Sequence, residues 1–86
     1  MVEKEIMVNN PTGLHARPAS QLVALAGKFK SKVTIQFNGK SVNVKSMLSL
    51  LGAGIKKSSQ IVLVVEGEDE TEAAEAISAL IHSFDE

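Results

Sequence analysis

The chain is 86 residues long and 44% hydrophobic, which suits one core and a single domain over residues 1–86. Nine Lys and Arg against ten Asp and Glu leave a net charge of −1, three Phe are the only aromatic residues, and there is no Cys. These values argue against a basic or base-stacking nucleic-acid binder and exclude disulfides and thiolate metal sites. No run of 18 apolar residues occurs, so we expect no stable membrane insertion and a cytoplasmic protein.

The first part of the chain predicts a strand and a helix. Residues 2–8 alternate apolar and polar side chains as a half-buried strand does. Over residues 16–29 the apolar side chains recur at helical spacing, and Pro18 falls in the first turn, where a missing N–H costs little. Lys28 and Lys30 suit the negative end of such a helix.

A hairpin and a short helix are predicted next. Residues 33–37 alternate again, Asn38-Gly39 is a strong hairpin signal, and Val42 and Val44 mark the returning strand. Residues 47–51 then form a short helix with Ser46 as its N-cap. Gly52 and Gly54 are expected to end this helix.

The last part of the chain predicts a central strand and a long helix. Residues 61–65 are five consecutive apolar side chains, which indicates a covered strand flanked on both edges. Asp69 and Glu72 resemble a capping box at the start of a helix. Its predicted apolar stripe consists of Ala73, Ala76, Ile77, Leu80, Ile81 and Phe84.

The order strand, helix, strand, strand, helix, strand, helix predicts an α+β fold. A central fourth strand inserted between the first two gives the split strand–helix–strand arrangement. We therefore expect an open-faced β-sandwich, with a mainly antiparallel sheet in the order 1-4-2-3 and three helices on one face.

His15 is the residue most suited to chemistry, in the run Thr12-Gly13-Leu14-His15-Ala16-Arg17-Pro18. A helix N-terminus favours an anion and a neutral, nucleophilic imidazole. Arg17 offers a planar fork to phosphate oxygens, and the amides of Ala16 and Arg17 are the donors ahead of Pro18. The residues alone leave two interpretations open, phosphoryl chemistry on His15 or a capping histidine beside a solvated arginine.

Other kinds of site find little support. No general base or paired carboxylate adjoins His15 in the sequence, which argues against a complete hydrolase or kinase site. His82 falls in the last turn of the final helix, off its apolar stripe, and suits a solvated position. With no histidine pair at ligand spacing, we expect no metal and no cofactor.

Charge is unevenly distributed along the chain. Residues 1–60 hold all nine basic residues and only two acids, whereas residues 61–86 hold eight acids and no base. The asymmetry is either a dipole without a role or the mark of a basic surface for an acidic partner or an anion.

Residues 13–19, Gly-Leu-His-Ala-Arg-Pro-Ala, resemble the phosphohistidine signature of the HPr family, the phosphocarriers of the bacterial sugar phosphotransferase system. Residues 44–48, Val-Lys-Ser-Met-Leu, resemble that family's regulatory serine segment, and length and spacing agree. The segment departs from the common Gram-positive pattern at Ser49, where a glycine is usual. The resemblance covers the whole chain and selects the phosphoryl interpretation of His15.

The resemblance implies a stoichiometric carrier and not a self-contained enzyme. His15 would accept a phosphoryl group on Nδ1 from phosphorylated enzyme I, with Arg17 stabilising it, and would pass it to an enzyme IIA of a sugar permease. It also implies a docking patch that includes Met47, Leu48 and Leu51, together with Ser20, Gln21 and Ala24 of the first helix and with Thr12.

Ser46 has two roles in prospect. As an N-cap it contributes about 1 kcal/mol. The resemblance implies phosphorylation by the HPr serine kinase/phosphatase and binding of a catabolite-control transcription factor. The alternative to a sugar carrier is thus a regulatory paralogue, either a nitrogen-branch carrier or a corepressor. Crh-like paralogues, which carry Gln in place of His15, are disfavoured. A monomer is expected, with a swapped dimer as the alternative.

Overall fold

Seven elements follow from the alternation and periodicity of the sequence. The computed structural model describes residues 1–85, so Glu86, the last residue of the expected domain, lies outside the described residues. In chain order the elements of that range are β1 (Val2–Met7), α1 (Ala16–Ala26), β2 (Lys32–Phe37), β3 (Lys40–Asn43), α2 (Met47–Ala53), β4 (Gln60–Glu66) and α3 (Glu70–Ser83).

The four strands form one antiparallel sheet in the order β1-β4-β2-β3. β4 pairs with β1 through Lys4 and Leu63, and with β2 through Ile35 and the same Leu63. β2 pairs with β3 through Ile35 and Val42 across the Asn-Gly hairpin. The predicted α+β fold and strand order are confirmed, and the helices pack on one face of the sheet.

β4 is central, as its apolar run predicts, but it is not covered on both faces. Ile61, Leu63 and Val65 are fully buried against the helices. Val62 and Val64 lie on the opposite, open face and are only half-buried. An uninterrupted apolar run that is β-branched except at Leu63 therefore fits a strand with one solvated face.

The core lies between the sheet and the helices. α1 buries Pro18, Ala19, Leu22 and Ala26, whereas the only side chain that α2 buries among the described residues is Leu50. The stripe of α3 is confirmed at its buried positions, and Ala74 and Ser78 join it, while Ala76, Leu80 and Phe84 are half-buried.

The predicted end of α1 is wrong, and the predicted end of α2 is confirmed at Gly54 but wrong at Gly52. α1 ends at Ala26 because Lys28 and Phe29 donate to carbonyls three residues back, Leu25 and Ala26, which turns the chain out of the helix. Lys28 and Lys30 therefore lie beyond the last turn. In α2, Gly52 lies inside the helix, and Gly54 ends it in the left-handed conformation at φ +68°.

The capping box predicted for α3 is also wrong. The carboxylate of Asp69 accepts hydrogen bonds from the backbone N–H groups of Lys30 and Ser31, both at 2.9 Å, and from the Ser31 hydroxyl at 2.5 Å. These bonds, that from the Ser31 hydroxyl above all, lower the pKa of Asp69 from 3.8 to about 2. Asp69 therefore links the start of α3 to the segment before β2. The side chain that accepts a nearby backbone N–H at this helix start is Glu70, which bonds to the N–H of Gly67.

Candidate functional site

His15 is the N-cap of α1. Its backbone is extended, with φ −81° and ψ −172°, and its carbonyl accepts the first helical hydrogen bond from the N–H of Ala19 at 2.8 Å. The residue is exposed, and within residues 1–85 the imidazole makes no capping bond to the helix. The backbone of His15 therefore starts the helix while its ring stays available to a reactant.

Hydrogen bonds hold the loop before His15 in place. Leu14 is buried, and its N–H donates to the carbonyl of Ile55 at 3.0 Å. Asn10 is buried as well, and its side-chain amide donates to the carbonyl of Gly13 at 2.7 Å, while the Gly13 N–H donates to the Asn10 carbonyl at 3.1 Å. These bonds fix the position and direction of the backbone where it enters α1.

Gly13 can only be glycine in this loop. Its φ is +64°, which side chains rarely adopt. A Cβ at this position would lie 2.4 Å from the Ile55 carbonyl oxygen and 2.7 Å from the Cα of Lys56. The neighbour that requires glycine here is the loop between α2 and β4.

The residues of the motif share one surface. Thr12, His15, Ala16, Arg17 and Pro18 line a shallow concavity at the start of α1. All of them except the buried Pro18 are exposed. The amides of Ala16 and Arg17 lie in the first turn of α1, at the positive end of the helix. The concavity therefore combines an imidazole, a guanidinium and the positive end of a helix, a set suited to a phosphate-sized anion.

No group of three or more His, Asp or Glu side chains in residues 1–85 is arranged to hold a metal ion. His82 is exposed in the last turn of α3, as the sequence predicts. No helix of this range is long and apolar enough to cross a membrane.

Ser46 is the N-cap of α2, and its hydroxyl is engaged. The Ser46 oxygen accepts from the N–H of Ser49 at 3.2 Å, which confirms the predicted cap. The Ser49 hydroxyl in turn accepts from the N–H of Asn43 at 3.1 Å, and thereby ties α2 to β3. The sequence analysis missed this role of Ser49, because only the fold brings Asn43 next to it.

An apolar surface covers the outer side of α2. Leu48 is 84% exposed and Leu51 is 44% exposed, whereas Met47 is half-buried against the core. α1 packs beside α2, and its outer residues Ser20, Gln21 and Ala24 are exposed. These six residues and the exposed Thr12 make up the docking patch that the resemblance implies. Exposed leucines of this kind are typical of an interaction surface.

The fold and the site define a class of protein, a small open-faced α+β sandwich that displays a histidine at the start of its first helix. The family model described as "PTS HPr component phosphorylation site" matches residues 2–83. The chain belongs to the HPr family of phosphocarrier proteins.

Individual relatives place the chain near two branches of this family. It is 46% identical to the phosphocarrier protein HPr of Lysinibacillus sphaericus over 94% of this chain and 92% of the relative. It is 47% identical to the HPr-like protein Crh of Halalkalibacterium halodurans over 94% and 96%. A crystal structure of HPr from Thermoanaerobacter tengcongensis superposes with a TM-score of 0.93, at 41% identity over 96% of this chain and 93% of that one. Overall identity therefore does not separate the two branches.

Proposed function

We propose that the protein is a phosphocarrier that receives a phosphoryl group on His15 and passes it on. One observation carries this proposal: the exposed imidazole stands at the positive end of α1 and beside Arg17, in a concavity open to a partner. His15 also favours a carrier over a Crh-like paralogue, because a histidine can form a phosphoramidate and the Gln of Crh-like paralogues cannot.

The proposed donor is phosphorylated enzyme I, itself charged by phosphoenolpyruvate. Nδ1 of His15 attacks the phosphorus, a P–N bond forms, and the bond to the donor nitrogen breaks, so that this nitrogen recovers its electron pair. The amides of Ala16 and Arg17 and the Arg17 guanidinium stabilise the oxygens of the transferred group. In a second displacement, a histidine nitrogen of enzyme IIA attacks the phosphorus, a new P–N bond forms, and the bond to Nδ1 of His15 breaks, so that His15 recovers its electron pair. The protein is therefore consumed and regenerated stoichiometrically.

The direct test is phosphorylation by purified enzyme I of the same organism with magnesium and phosphoenolpyruvate. Intact mass should show one added phosphoryl group that is lost in acid, because a phosphohistidine is acid-labile. His15→Ala should gain none, while Ser46→Ala should gain one as the wild type does. Normal labelling of His15→Ala would remove His15 as the acceptor.

We propose that the docking patch binds enzyme I and enzyme IIA. Leu48 touches little of its own protein, so Leu48→Ala should change the free energy of unfolding by less than about 0.5 kcal/mol. The same change should weaken the complex with enzyme I about fivefold or more, as measured by calorimetry, since it removes an apolar contact. Leu50→Ala is the matched control, and it should cost roughly 2–5 kcal/mol of stability because Leu50 is fully buried. Unchanged affinity of Leu48→Ala would exclude Leu48 from the interface.

A second role at Ser46 is favoured by its position as the N-cap of α2 and by the similarity to Crh. A phosphate there lies at a positive helix end and adds nearly two negative charges beside the docking patch. Phosphorylation by the HPr serine kinase/phosphatase would then weaken binding to an acidic partner and create a ligand for a catabolite-control transcription factor. Ser46→Asp should bind enzyme I more weakly than Ser46→Ala. Equal affinities would argue against this electrostatic effect.

The setting of this function is the cytoplasm, and we propose that the protein acts there as a monomer. Light scattering at working concentration tests the monomer against a swapped dimer. If the protein is a nitrogen-branch carrier and not a sugar carrier, the enzyme I of that branch should phosphorylate it selectively.

A further inference from the structure

Two loops meet beneath His15. The first leads into α1, and the second, residues 54–59, joins α2 to β4. Leu14 of the first loop donates its N–H to Ile55 of the second at 3.0 Å. A Cβ placed on Gly13 would lie only 2.7 Å from the Cα of Lys56. The Cα of Lys56 therefore lies against the backbone two residues before His15.

The backbone of Lys56 is fixed, whereas its side chain is exposed. Its N–H donates to the Ser59 hydroxyl, and the Ser59 N–H donates to its carbonyl, both at 3.1 Å. Ser58 donates its N–H to the carbonyl of Val8 and so ties the loop to the end of β1. None of the ion pairs within residues 1–85 includes Lys56. A lysine whose backbone is held in place, and whose ammonium forms no ion pair within residues 1–85, is suited to respond to a new charge nearby.

We infer that Lys56 is a second cation of the phosphoryl site besides Arg17, and that it binds the phosphoryl group on His15 from the loop between α2 and β4. The inference rests on the proposed phosphocarrier function. A phosphoryl group brings nearly two negative charges to a solvent-exposed place, and a lysine is a mobile point charge on a flexible stem. An exposed ion pair of this kind favours the phosphorylated state by about threefold.

The contribution of Lys56 differs from that of Arg17 in its origin. Arg17 lies on α1, two residues from His15, and moves with the same helix. Lys56 belongs to the loop that follows α2, so its contact joins this loop to the state of His15. The free energy of the phosphorylated form then depends on a residue outside the signature motif.

The test is a competition at equilibrium. Equal amounts of ¹⁵N-labelled wild type and unlabelled Lys56→Gln share a limiting quantity of phosphoenolpyruvate in the presence of catalytic enzyme I. Intact mass at neutral pH then gives the phosphorylated fraction of each protein once the ratio is constant. Because the system is at equilibrium, this ratio reflects the stability of the phosphorylated forms and not the rate of docking to enzyme I.

The wild type should hold about threefold more phosphoryl group than Lys56→Gln and roughly tenfold more than Lys56→Glu. Lys56→Arg should share it equally with the wild type, and high salt should bring the Gln ratio toward one. The matched control is Lys32→Gln, which removes another exposed lysine. Lys32 lies across from Glu66 in the register of β2 and β4, at the end of β4 far from the Lys56 loop. This variant should share the phosphoryl group equally with the wild type.

The outcomes separate the two proposals. Equal phosphorylation of wild type and Lys56→Gln would overturn the role of Lys56 and leave the phosphocarrier function standing. An unequal ratio that Lys32→Gln reproduces would also overturn it, because net charge alone would then account for the effect. Absence of the phosphoryl group from both proteins would overturn the proposed function, and the role of Lys56 with it.

Discussion

Helices α1 and α2 both begin at a residue that can carry a phosphoryl group, yet the two starts use that side chain differently. At the start of α2, the Ser46 hydroxyl accepts the N–H of Ser49 and is half-buried. At the start of α1, His15 contributes only its backbone to the helix, and within residues 1–85 its exposed ring caps no amide. The same position therefore serves stability in one helix and presents an exposed, non-capping side chain in the other.

The two helix starts are stabilised by different contacts. α1 lacks a side-chain cap but is anchored by the loop beneath it, through Leu14 and Ile55. α2 is only seven residues long and buries one leucine, so its own cap and the Ser49 contact to Asn43 hold it. Substitutions at each start should therefore act on different properties.

Among substitutions at the helix starts, the largest expected effect on stability comes from the loop that leads into α1. Gly13→Ala places a methyl group 2.4 Å from the Ile55 carbonyl and should cost on the order of 3 kcal/mol in urea unfolding. Gly54→Ala is the matched control, because its φ is also positive but open space surrounds it. The control should cost only about 1–2 kcal/mol. Equal losses would mean that the loop yields and does not anchor α1.

A smaller effect is expected from the caps themselves. Ser46→Ala removes the bond to Ser49 and should lower the free energy of unfolding by about 1 kcal/mol. His15→Ala removes no capping bond and should change it by less than about 0.5 kcal/mol. Denaturant unfolding of the two variants beside the wild type measures both. A loss at His15→Ala as large as that at Ser46→Ala would contradict the contrast between the helix starts.

The start of α3 offers a third case, in which the N-cap side chain bonds to another segment. The folded pKa of Asp69 is about 2 against an ordinary 3.8, so its carboxylate stabilises the fold above pH 4, and this contribution is lost as the pH falls from about 4 to about 2. Asp69→Asn should lower the urea midpoint at neutral pH and flatten its fall over that interval. An unchanged acid limb would show that the bonds to Ser31 are not maintained in solution.

The sequence predicts much of this structure where the information is local. Alternation, the Asn38-Gly39 hairpin and helical spacing suffice for the elements, and a motif suffices to select His15 and Ser46. The errors arise where distant segments meet. The sequence suggests a capping side chain at Asp69, but in the fold this side chain bonds to Ser31 instead. Neither the hydrogen bond from Leu14 to Ile55 nor the contact of Ser49 with Asn43 has a local signal.

The two faces of β4 and the end of α1 show the same limit. Apolar residues in a row do not reveal that Val62 and Val64 face the open side, because periodicity reports side-chain type and not the partner layer. Likewise, Phe29 continues the helical pattern in sequence, but the turn after Ala26 lets its ring pack on the core from outside the helix.

The most direct test of the contrast between the two helix starts is to map the phosphoryl group after the reaction with phosphoenolpyruvate and enzyme I. The protein is digested at neutral pH, and the modified residue is located by tandem mass spectrometry before and after brief acid treatment. We predict modification of His15 alone, in a peptide that loses the group in acid. An acid-stable group on Ser46, with His15 unmodified, would contradict the assignment of chemistry to the start of α1 and of capping to the start of α2.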